Sequence, residues 1–341
     1  MGKYLIKLTP MEFYFFGDEN AFHFDSNGKQ TSDSYYARSL EIPPQTSVLG
    51  MLRYTLLEQS GLLKSDGCYT TDDLNKMKEL IGDKGFDIEN PVPLGKIKNV
   101  SPLFIIDEEG KKYIQTPFNH KTEIEEGGEK KENTIYTPFK MSEKEVETSH
   151  GELILPEDGE YDPKKPVDLS FVRLDDLRVI QDIIETDVRV GIKKYSKKDG
   201  FVRKCYHRLK EGYSFAVTVE LEDGCEIENT VCYMGREKSS FYLEAEKSDE
   251  DFKPEIKTET PFFYAWSDLV LKDKIDFKGF AVTRVGSLRV LKSDYSGGKL
   301  SRTRHNKFYN VIKAGSVFYH EEDINAFYPD QYGCNKIIKF E

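Results

Sequence analysis

The sequence predicts an α+β protein with a β-rich C-terminal part, in which a βαββαβ-type unit occurs once or twice along the chain. Short apolar and aromatic segments recur along the 341 residues, beginning with Tyr4–Leu8. Few segments have helical periodicity, and strands and helices do not alternate as they do in a doubly wound parallel sheet. The 20 tyrosines and 22 phenylalanines also favour β-rich structure or stacking surfaces.

Three segments are predicted to be helical. The first follows Pro43 and Pro44, has Thr46 or Ser47 as its N-cap, and carries apolar residues at helical spacing as far as Leu57. The others are predicted over 71–81, capped by residues 71–73, and over 175–184. Strands or strand pairs are predicted at Tyr4–Leu8, Val100–Ile106 with Lys111–Gln115, Tyr213–Leu221, and Val231–Arg236 with Phe241–Ala245. Residues 121–133 are charged and predict an exposed or disordered insertion, and residues 246–260 predict a linker or loop.

Charge is strongly segregated along the chain. The C-terminal basic stretch, Gly279–Lys313, has eight lysines and arginines against Asp294 alone, and contains the glycine-punctuated hairpin around Gly297 and Gly298. The middle basic stretch, Arg189–Lys210, has nine against Asp199 alone. These charges of +7 and +8 in a chain of −11 leave −26 for the rest. Either stretch alone is compatible with solvated turns, but two in an acidic chain favour binding to a polyanion.

Aromatic residues accompany the cations in both basic stretches. Cations neutralise phosphates and aromatic rings stack on unpaired bases, so this mixture is typical of single-stranded RNA binding. About half of these aromatics are expected to be core residues instead. They are Tyr195, Phe201, Tyr206, Tyr295, Phe308 and Tyr309.

The start of the first helix is a second candidate phosphate site. Thr46, Ser47 and free backbone N–H groups would meet there, and Gly50 lies close by. Ordinary capping, with Gly50 allowing close packing on a sheet, explains the same residues and is the favoured interpretation.

The sequence contains no motif for several classes of binding site and reaction. The five cysteines are scattered, which argues against a disulfide framework or a zinc site, and no cofactor or metal is predicted. No apolar run approaches ~20 residues and the N-terminus lacks a signal-peptide profile, so a cytoplasmic protein without membrane contact is predicted. No nucleotide-binding loop or hydrolase motif is present.

His207 and His305 lie beside arginines and could act as a general base in a metal-independent nuclease, but a paired or surface histidine is the favoured interpretation.

Five segments, taken together and in order, resemble the family of third subunits of the type III-B (Cmr) CRISPR effector complex, within the RAMP superfamily. Two departures occur: Arg236 stands where the family has a second glycine, and Tyr295 stands about where a tryptophan is common. The segments are Leu8–Asp18, Pro43–Arg53, Glu185–Ile192, Tyr233–Glu237, and the region from Gly297–Gly298 to Ala314–Tyr319.

The resemblance implies two tandem ferredoxin-like (RRM-type) RAMP folds with loop insertions. We place them at residues 1–165 and 166–341, the second containing the glycine-rich basic segment. It also implies a non-catalytic subunit that binds the repeat-derived 5′ handle of the guide RNA (crRNA). Its protein partners would be the large polymerase/cyclase subunit and the backbone RAMP subunits. An alternative from the same superfamily is a metal-independent guide-RNA-processing endoribonuclease, and a third hypothesis is a protein-only scaffold docked on acidic partners.

The predicted RNA contacts of side chains fall into three groups. In addition, four glycines are predicted to let the backbone approach RNA closely: Gly286, Gly297, Gly298 and Gly315. Around the first helix the contacts are Arg38, Thr46, Ser47 and Arg53. In the middle basic stretch they are Arg189, Lys193, Lys194 and Arg203. In the C-terminal basic stretch they are Arg284, Arg289, Lys299, Arg302, Arg304, His305 and Lys307.

Overall fold

The computed structural model describes residues 1–24, 30–83, 85–90, 92–121, 134–148, 151–157, 161–162, 169–193, 200–235, 237–275, 279–288, 291–296, 299–304, 308–319 and 324–341. Within these ranges the two helices are α1 (Gln45–Gln59) and α2 (Thr71–Ile81). The strands up to residue 200 are β1 (Gly2–Pro10), β2 (Gly17–Phe24), β3 (Gln30–Ser39), β4 (Ile97–Val100), β5 (Phe104–Asp107), β6 (Lys112–Gln115), β7 (Thr134–Ile135), β8 (Met141–Thr148), β9 (Gly151–Pro156), β10 (Phe171–Arg173), β11 (Arg178–Ile180) and β12 (Ile184–Lys193). The remaining strands are β13 (Gly200–Leu209), β14 (Tyr213–Leu221), β15 (Thr230–Met234), β16 (Ser239–Lys247), β17 (Phe262–Ala265), β18 (Leu269–Val270), β19 (Phe280–Val282), β20 (Val285–Leu288), β21 (Leu291–Ser296), β22 (Lys299–Arg304), β23 (Tyr309–Ile312), β24 (Val317–Tyr319) and β25 (Ile337–Phe340).

A ten-stranded antiparallel sheet forms the centre of the molecule. Its order is β15-β16-β1-β14-β5-β6-β10-β11-β7, with β4 also paired to β14. The first strand of the chain, β1, lies between β14 and β16, so the sheet joins strands from both sides of position 165. The predicted division into 1–165 and 166–341 stays a prediction.

Both faces of this sheet carry a hydrophobic core, because successive side chains of a strand point to opposite faces. On one face Ile105 and Phe215 pack with Leu52 of α1. On the other face Phe104 and neighbouring residues pack against strands of a second sheet, β19-β24-β17-β25, near the C-terminus. The large sheet is therefore covered by a helix on one face and by a sheet on the other.

A separate four-stranded sheet, which we call the basic sheet, carries the middle basic stretch. Its order is β12-β13-β3-β2, and β13 runs parallel to β3 with Arg203 opposite Tyr36. The C-terminal basic stretch lies in other elements, namely β19, β20 and β23 and the two-stranded β21–β22 hairpin. A three-stranded sheet, β18-β23-β20, and a β8–β9 hairpin complete the described elements.

Most of the predicted elements are confirmed. The first two helices form where predicted, and the strands at β1, β5–β6, β14 and β15–β16 match the predicted segments. The N-cap of α1 differs: Pro44 occupies that position and no side-chain hydrogen bond caps the helix. In α2 the cap is Thr70, which forms a reciprocal capping box with Asp73.

The predicted third helix over 175–184 is wrong. Arg173 donates hydrogen bonds to Asp176, and the chain turns back through Leu177, whose φ is +59°. Val179 and its neighbours then pair with β10 as β11, and β12 begins at Ile184. The hydrogen bonds from Arg173 to Asp176 and the left-handed conformation of Leu177 form a turn, so a helix does not propagate through this segment.

The described part of the chain is mostly β-sheet with two helices, which agrees with the α+β prediction in its coarse form, whereas the tandem βαββαβ pattern is not confirmed. Two such units need four helices, and the described part of the chain contains two. Most of the charged segment 121–133 lies outside the described residues. Residues 248–260 have no regular secondary structure, although Phe252 and Ile256 are buried. No described helix is both long enough and apolar enough to cross a membrane.

Candidate nucleic-acid interface

The register of β12 and β13 decides which cations of the middle basic stretch lie together. Arg189 is opposite Lys204, and Val190 is opposite Arg203. Because side chains alternate along each strand, Arg189 and Lys204 share one face of the basic sheet, the Arg189 face, together with Tyr206. Val190 and Arg203 share the other face, the Val190 face.

On the Arg189 face, the guanidinium of Arg189 lies over two aromatic rings. The Arg189 Cζ lies 4.6 Å from the ring centroid of Tyr206 and 5.7 Å from that of Phe13. Its Nε donates to Asp187 Oδ2 at 2.7 Å. Among the described residues neither Nη atom of Arg189 has a hydrogen-bond partner, and the side chain is 54% exposed. Arg189 therefore presents two oriented donors to solvent.

Glu237 organises the neighbouring side chains of this face. It accepts hydrogen bonds from Lys204 Nζ and, at 2.8 Å, from the hydroxyl of Tyr206. Burial raises the pKa of Tyr206, and its bond to Glu237 acts in the same direction. Lys204 Nζ also lies 5.7 Å from the ring centroid of Phe15. Tyr206 is one of the aromatics that the sequence predicts either to stack on bases or to belong to the core, whereas the roles of Phe13, Asp187 and Glu237 were missed from the sequence. The Asp187–Arg189 spacing already places both residues on one face of a strand.

Two predicted contacts meet on the Val190 face instead. The Cζ atoms of Arg38 and Arg203 lie 5.5 Å and 5.9 Å from the ring centroid of Tyr36. The parallel pairing of β3 with β13 brings these residues together across about half of the chain. The structure thus separates Arg38 and Arg203 from Arg189 by the thickness of the sheet.

The start of α1 is partly occupied by the protein itself. Thr46 and Ser47 are half-buried, and the side chain of Gln45 donates to the carbonyls of Ser101 and Tyr332 at 2.9 Å and 3.0 Å. Arg53 turns inward: its Nε donates to the carbonyl of Ile81 at 3.1 Å, and burial lowers its pKa. A cation at the last carbonyl of α2 stabilises that helix end, so this placement favours a structural role for Arg53.

The C-terminal basic stretch is described in part. Arg284 is exposed, and its Cζ lies 5.4 Å from the ring centroid of Phe118. The predicted glycine-punctuated hairpin is confirmed at the level of the backbone, since β21 and β22 pair from Leu291–Arg304 to Ser296–Lys299. Lys299, Arg302 and Arg304 lie in β22, and Lys193 ends β12. Lys194, Arg289, His305 and Lys307 lie outside the described residues, as do Gly297 and Gly298.

Two of the glycines predicted to approach RNA contact the protein itself. Gly315 has φ +89°, and a Cβ added there would lie 2.7 Å from Cε1 of Phe118. A Cβ on Gly286 would lie 2.8 Å from Cε of Lys313. Both glycines therefore lie against side chains of the protein, and their approach to RNA stays a prediction.

His207 is a buried structural histidine. Its Nε2 lies 3.2 Å from the carbonyl oxygen of Ser39, and its Nδ1 lies 3.1 Å from the hydroxyl oxygen of Thr186. The carbonyl of Ser39 only accepts, so it is a partner for a protonated Nε2, and the Thr186 hydroxyl is a partner for Nδ1. With both ring nitrogens in use, His207 matches the paired interpretation rather than the general-base one. Among the described residues, no three His, Cys, Asp or Glu side chains come together in a way that would hold a metal ion.

His207 makes the stability of the fold sensitive to mild acid. Burial lowers its folded-state pKa below the unfolded value of ~6.5. Above that pH both states are neutral, whereas below it the unfolded state gains a proton that the folded state resists. The free energy of unfolding should therefore fall with pH below ~6.5, by at most ~1.4 kcal/mol per unit for this group. Thermal unfolding between pH 7.5 and 5 should show a shallower decline for His207→Gln than for the wild type. An unchanged slope would contradict this account.

The geometry defines a β-rich protein with a basic sheet whose cations are held against aromatic rings. A family model described as CRISPR-associated protein (Cas_Cmr3) matches residues 6–264, more than half of the chain. The chain therefore belongs to the Cas_Cmr3 family of CRISPR-associated proteins, and the family predicted by resemblance is confirmed.

Two solved structures illustrate what the chain is similar to. One is described as the cryo-EM structure of the Type III-B Cmr-beta bound to cognate target RNA, with 15% identity, a TM-score of 0.44, and coverage of 93% of this chain and 86% of that chain. Another is described as the crystal structure of the Csm3-Csm4 subcomplex in the type III-A CRISPR-Cas interference complex, with 11% identity, a TM-score of 0.34, and coverage of 96% and 94%. No curated protein matches the chain.

Proposed function

We propose that this chain is a non-catalytic subunit of a type III-B CRISPR effector complex. In it, the chain binds the repeat-derived 5′ handle of the guide RNA and joins the large polymerase/cyclase subunit to the backbone RAMP subunits. Family membership supports the CRISPR context. The observation that carries the RNA-binding part is the stacked and oriented guanidinium of Arg189 on the basic sheet of an otherwise acidic protein.

The chemistry of the Arg189 face suits a phosphate. Asp187 fixes Nε and the two rings fix the guanidinium plane, so the Nη donors can pair with two oxygens of one phosphate without first being ordered. Gly191 follows on the same face, and a Cβ there would meet only the carbonyl oxygen of Val202, at 3.9 Å. A sugar–phosphate backbone can therefore approach the strand closely at this point.

The predicted RNA contacts on the basic sheet lie on two opposite faces, so they cannot all belong to one binding surface. An RNA strand that lies on the Arg189 face does not also reach Arg38 and Arg203 on the Val190 face. We therefore assign the RNA to the Arg189 face and to the C-terminal basic stretch from Arg284 to Lys307. Lys193, which ends β12, and Lys194 stay predicted contacts. Thr46 and Ser47 stay predicted contacts at the start of α1. The acidic remainder of the chain would repel RNA and keep it on these surfaces.

A tagged form of the chain, purified from its host, tests the proposal directly. The expected result is co-purified guide RNA with one fixed 5′ end. Charge reversal of both Arg302 and Arg304, followed by washing at increasing salt, should release this RNA earlier and flatten the salt dependence of its retention. RNA retention that matches the wild type at every salt concentration would remove β22 from the interface. Absence of RNA from an intact complex would favour a protein-only scaffold.

The endoribonuclease alternative has a separate test. Purified chain is incubated with a repeat-containing RNA in the presence of EDTA, which leaves metal-independent cleavage intact. We expect no discrete product, because His207 is buried and both its ring nitrogens are bonded. A product of single length that disappears in His305→Ala would establish the enzyme instead.

A further inference from the structure

The Val190 face of the basic sheet exposes an unusual row of apolar side chains. Val188, Val190 and Ile192 alternate along β12 and are 42%, 66% and 63% exposed. Phe201 of β13, opposite Ile192, is 60% exposed. Single exposed apolar residues are common on proteins, but four neighbours on one sheet face form a contiguous patch of the kind that marks an interaction site.

Both side-chain rows of β12 are exposed, and one of them is apolar. A half-exposed antiparallel strand normally points its apolar residues inward and its polar residues to water. Here the apolar row points to water, although the polar row with Asp187 and Arg189 is exposed on the other face as well. Towards the base of the hairpin the same row continues into buried residues, including His207 and Leu209. The patch is thus an outward extension of the core whose apolar side chains are largely exposed.

The charges around the patch indicate what kind of partner surface would complement it. On β12, β13 and β3 the described side chains of this face include no aspartate or glutamate, while Arg38 and Arg203 border the patch beside Tyr36. The carboxylate of Glu41, which follows β3, acts on His207 at the base of the hairpin. A surface that complements it has an apolar centre with carboxylates at the edge. RNA fits less well, because Phe201 alone among the four exposed apolar side chains has a ring to stack on a base, and two guanidinium groups already lie over Tyr36.

We propose that the Val190 face is the docking surface for a neighbouring protein subunit, which contributes an apolar segment flanked by aspartates or glutamates. This inference rests on the proposed function in so far as the neighbour belongs to the same effector complex. The basic sheet then separates two partners, with RNA on the Arg189 face and protein on the Val190 face. Arg38 and Arg203 pair with carboxylates of the neighbour rather than with phosphates.

The test uses the complete complex, produced by co-expressing the tagged chain with the other effector subunits and a guide RNA. Val190→Asp places a carboxylate in the centre of the patch, and Arg203→Glu reverses the charge at its border. The matched control is Val146→Asp, at another exposed valine of a two-stranded hairpin. Native mass spectrometry measures subunit stoichiometry. The isolated variants are also titrated with a synthetic RNA of the handle sequence, and circular dichroism confirms that they fold.

We expect the amount of neighbouring subunit that co-purifies with each test variant to fall at least ten-fold, whereas Val146→Asp should retain it. All isolated variants should bind handle RNA with an affinity within two-fold of the wild type. Unchanged stoichiometry in both test variants would overturn the inference. Loss of handle RNA with the neighbour retained would make the face an RNA surface, and a dimer of the isolated chain that Val190→Asp dissociates would make a second copy the occupant. A wild type that assembles with protein but does not bind handle RNA would contradict the proposed function and leave the docking result standing.

Discussion

Charge reversal at Arg189 is expected to weaken binding of handle RNA by on the order of ten-fold near physiological salt. Arg189→Glu removes two oriented Nη donors and places a second carboxylate beside Asp187, so that a phosphate meets repulsion where it had a bidentate partner. The salt dependence of the affinity should fall by about one unit in the slope of log K against log[salt]. Fluorescence anisotropy with labelled handle RNA, repeated from ~50 to ~200 mM salt, measures both quantities.

A close structural match controls for net charge. Arg178 has the same 54% exposure and pairs with Asp176, two residues earlier, as Arg189 pairs with Asp187. Arg178→Glu changes the charge of the protein equally but lies in β11, outside the basic sheet. It should leave affinity and slope close to those of the wild type. If Arg178→Glu weakened binding as much as Arg189→Glu, the effect would be general repulsion and the proposed site would be wrong.

Replacing Gly235 with alanine is expected to destabilise the fold strongly. Gly235 has φ +79°, and an added Cβ would lie 2.5 Å from the carbonyl oxygen of Phe15. The substitution combines an unfavourable left-handed conformation, worth ~1–2 kcal/mol, with a clash against backbone. Phe15 packs on Tyr206, and Glu237 follows two residues later, so any shift also disturbs the Arg189 face.

Substitution at Gly224 measures the cost of the left-handed conformation without the cost of a steric clash. Its φ of +78° is nearly the same, but a Cβ there meets nothing within 4 Å. Gly224→Ala should therefore lower the free energy of unfolding by ~1–2 kcal/mol, and Gly235→Ala by at least ~2 kcal/mol more. Chemical denaturation followed by circular dichroism measures the difference. Equal losses in the two variants would show that the approach of Gly235 to Phe15 is relieved without cost.

The two faces of the basic sheet explain how one small element can serve two partners. Polyanion binding needs oriented donors with free edges, which Asp187 and two rings provide at Arg189. Protein docking needs apolar area that desolvates readily, which the row through Val190 provides. Because side chains alternate along β12 and β13, the two chemistries occupy alternate residues of the same two strands and lie on opposite faces of the sheet.

The sequence by itself determined the features that depend on near neighbours in the chain. The apolar spacing of α1, the strand pattern of β14 and the turn between β5 and β6 are local, so each element forms close to where it is predicted. Charge segregation is likewise a property of sequence alone. The ordered family-like segments predicted the family that the match over residues 6–264 confirms.

Only the tertiary structure decided which residues of these elements face each other. The pairing of Tyr36 with Arg203 joins distant parts of the chain, the inward turn of Arg53 depends on where α2 ends, and the failure of the third helix depends on pairing with β10. A one-residue change of register would exchange the two faces of the basic sheet and move Arg189 to the apolar side. Register is set by contacts between strands, and those contacts do not exist until the chain is folded.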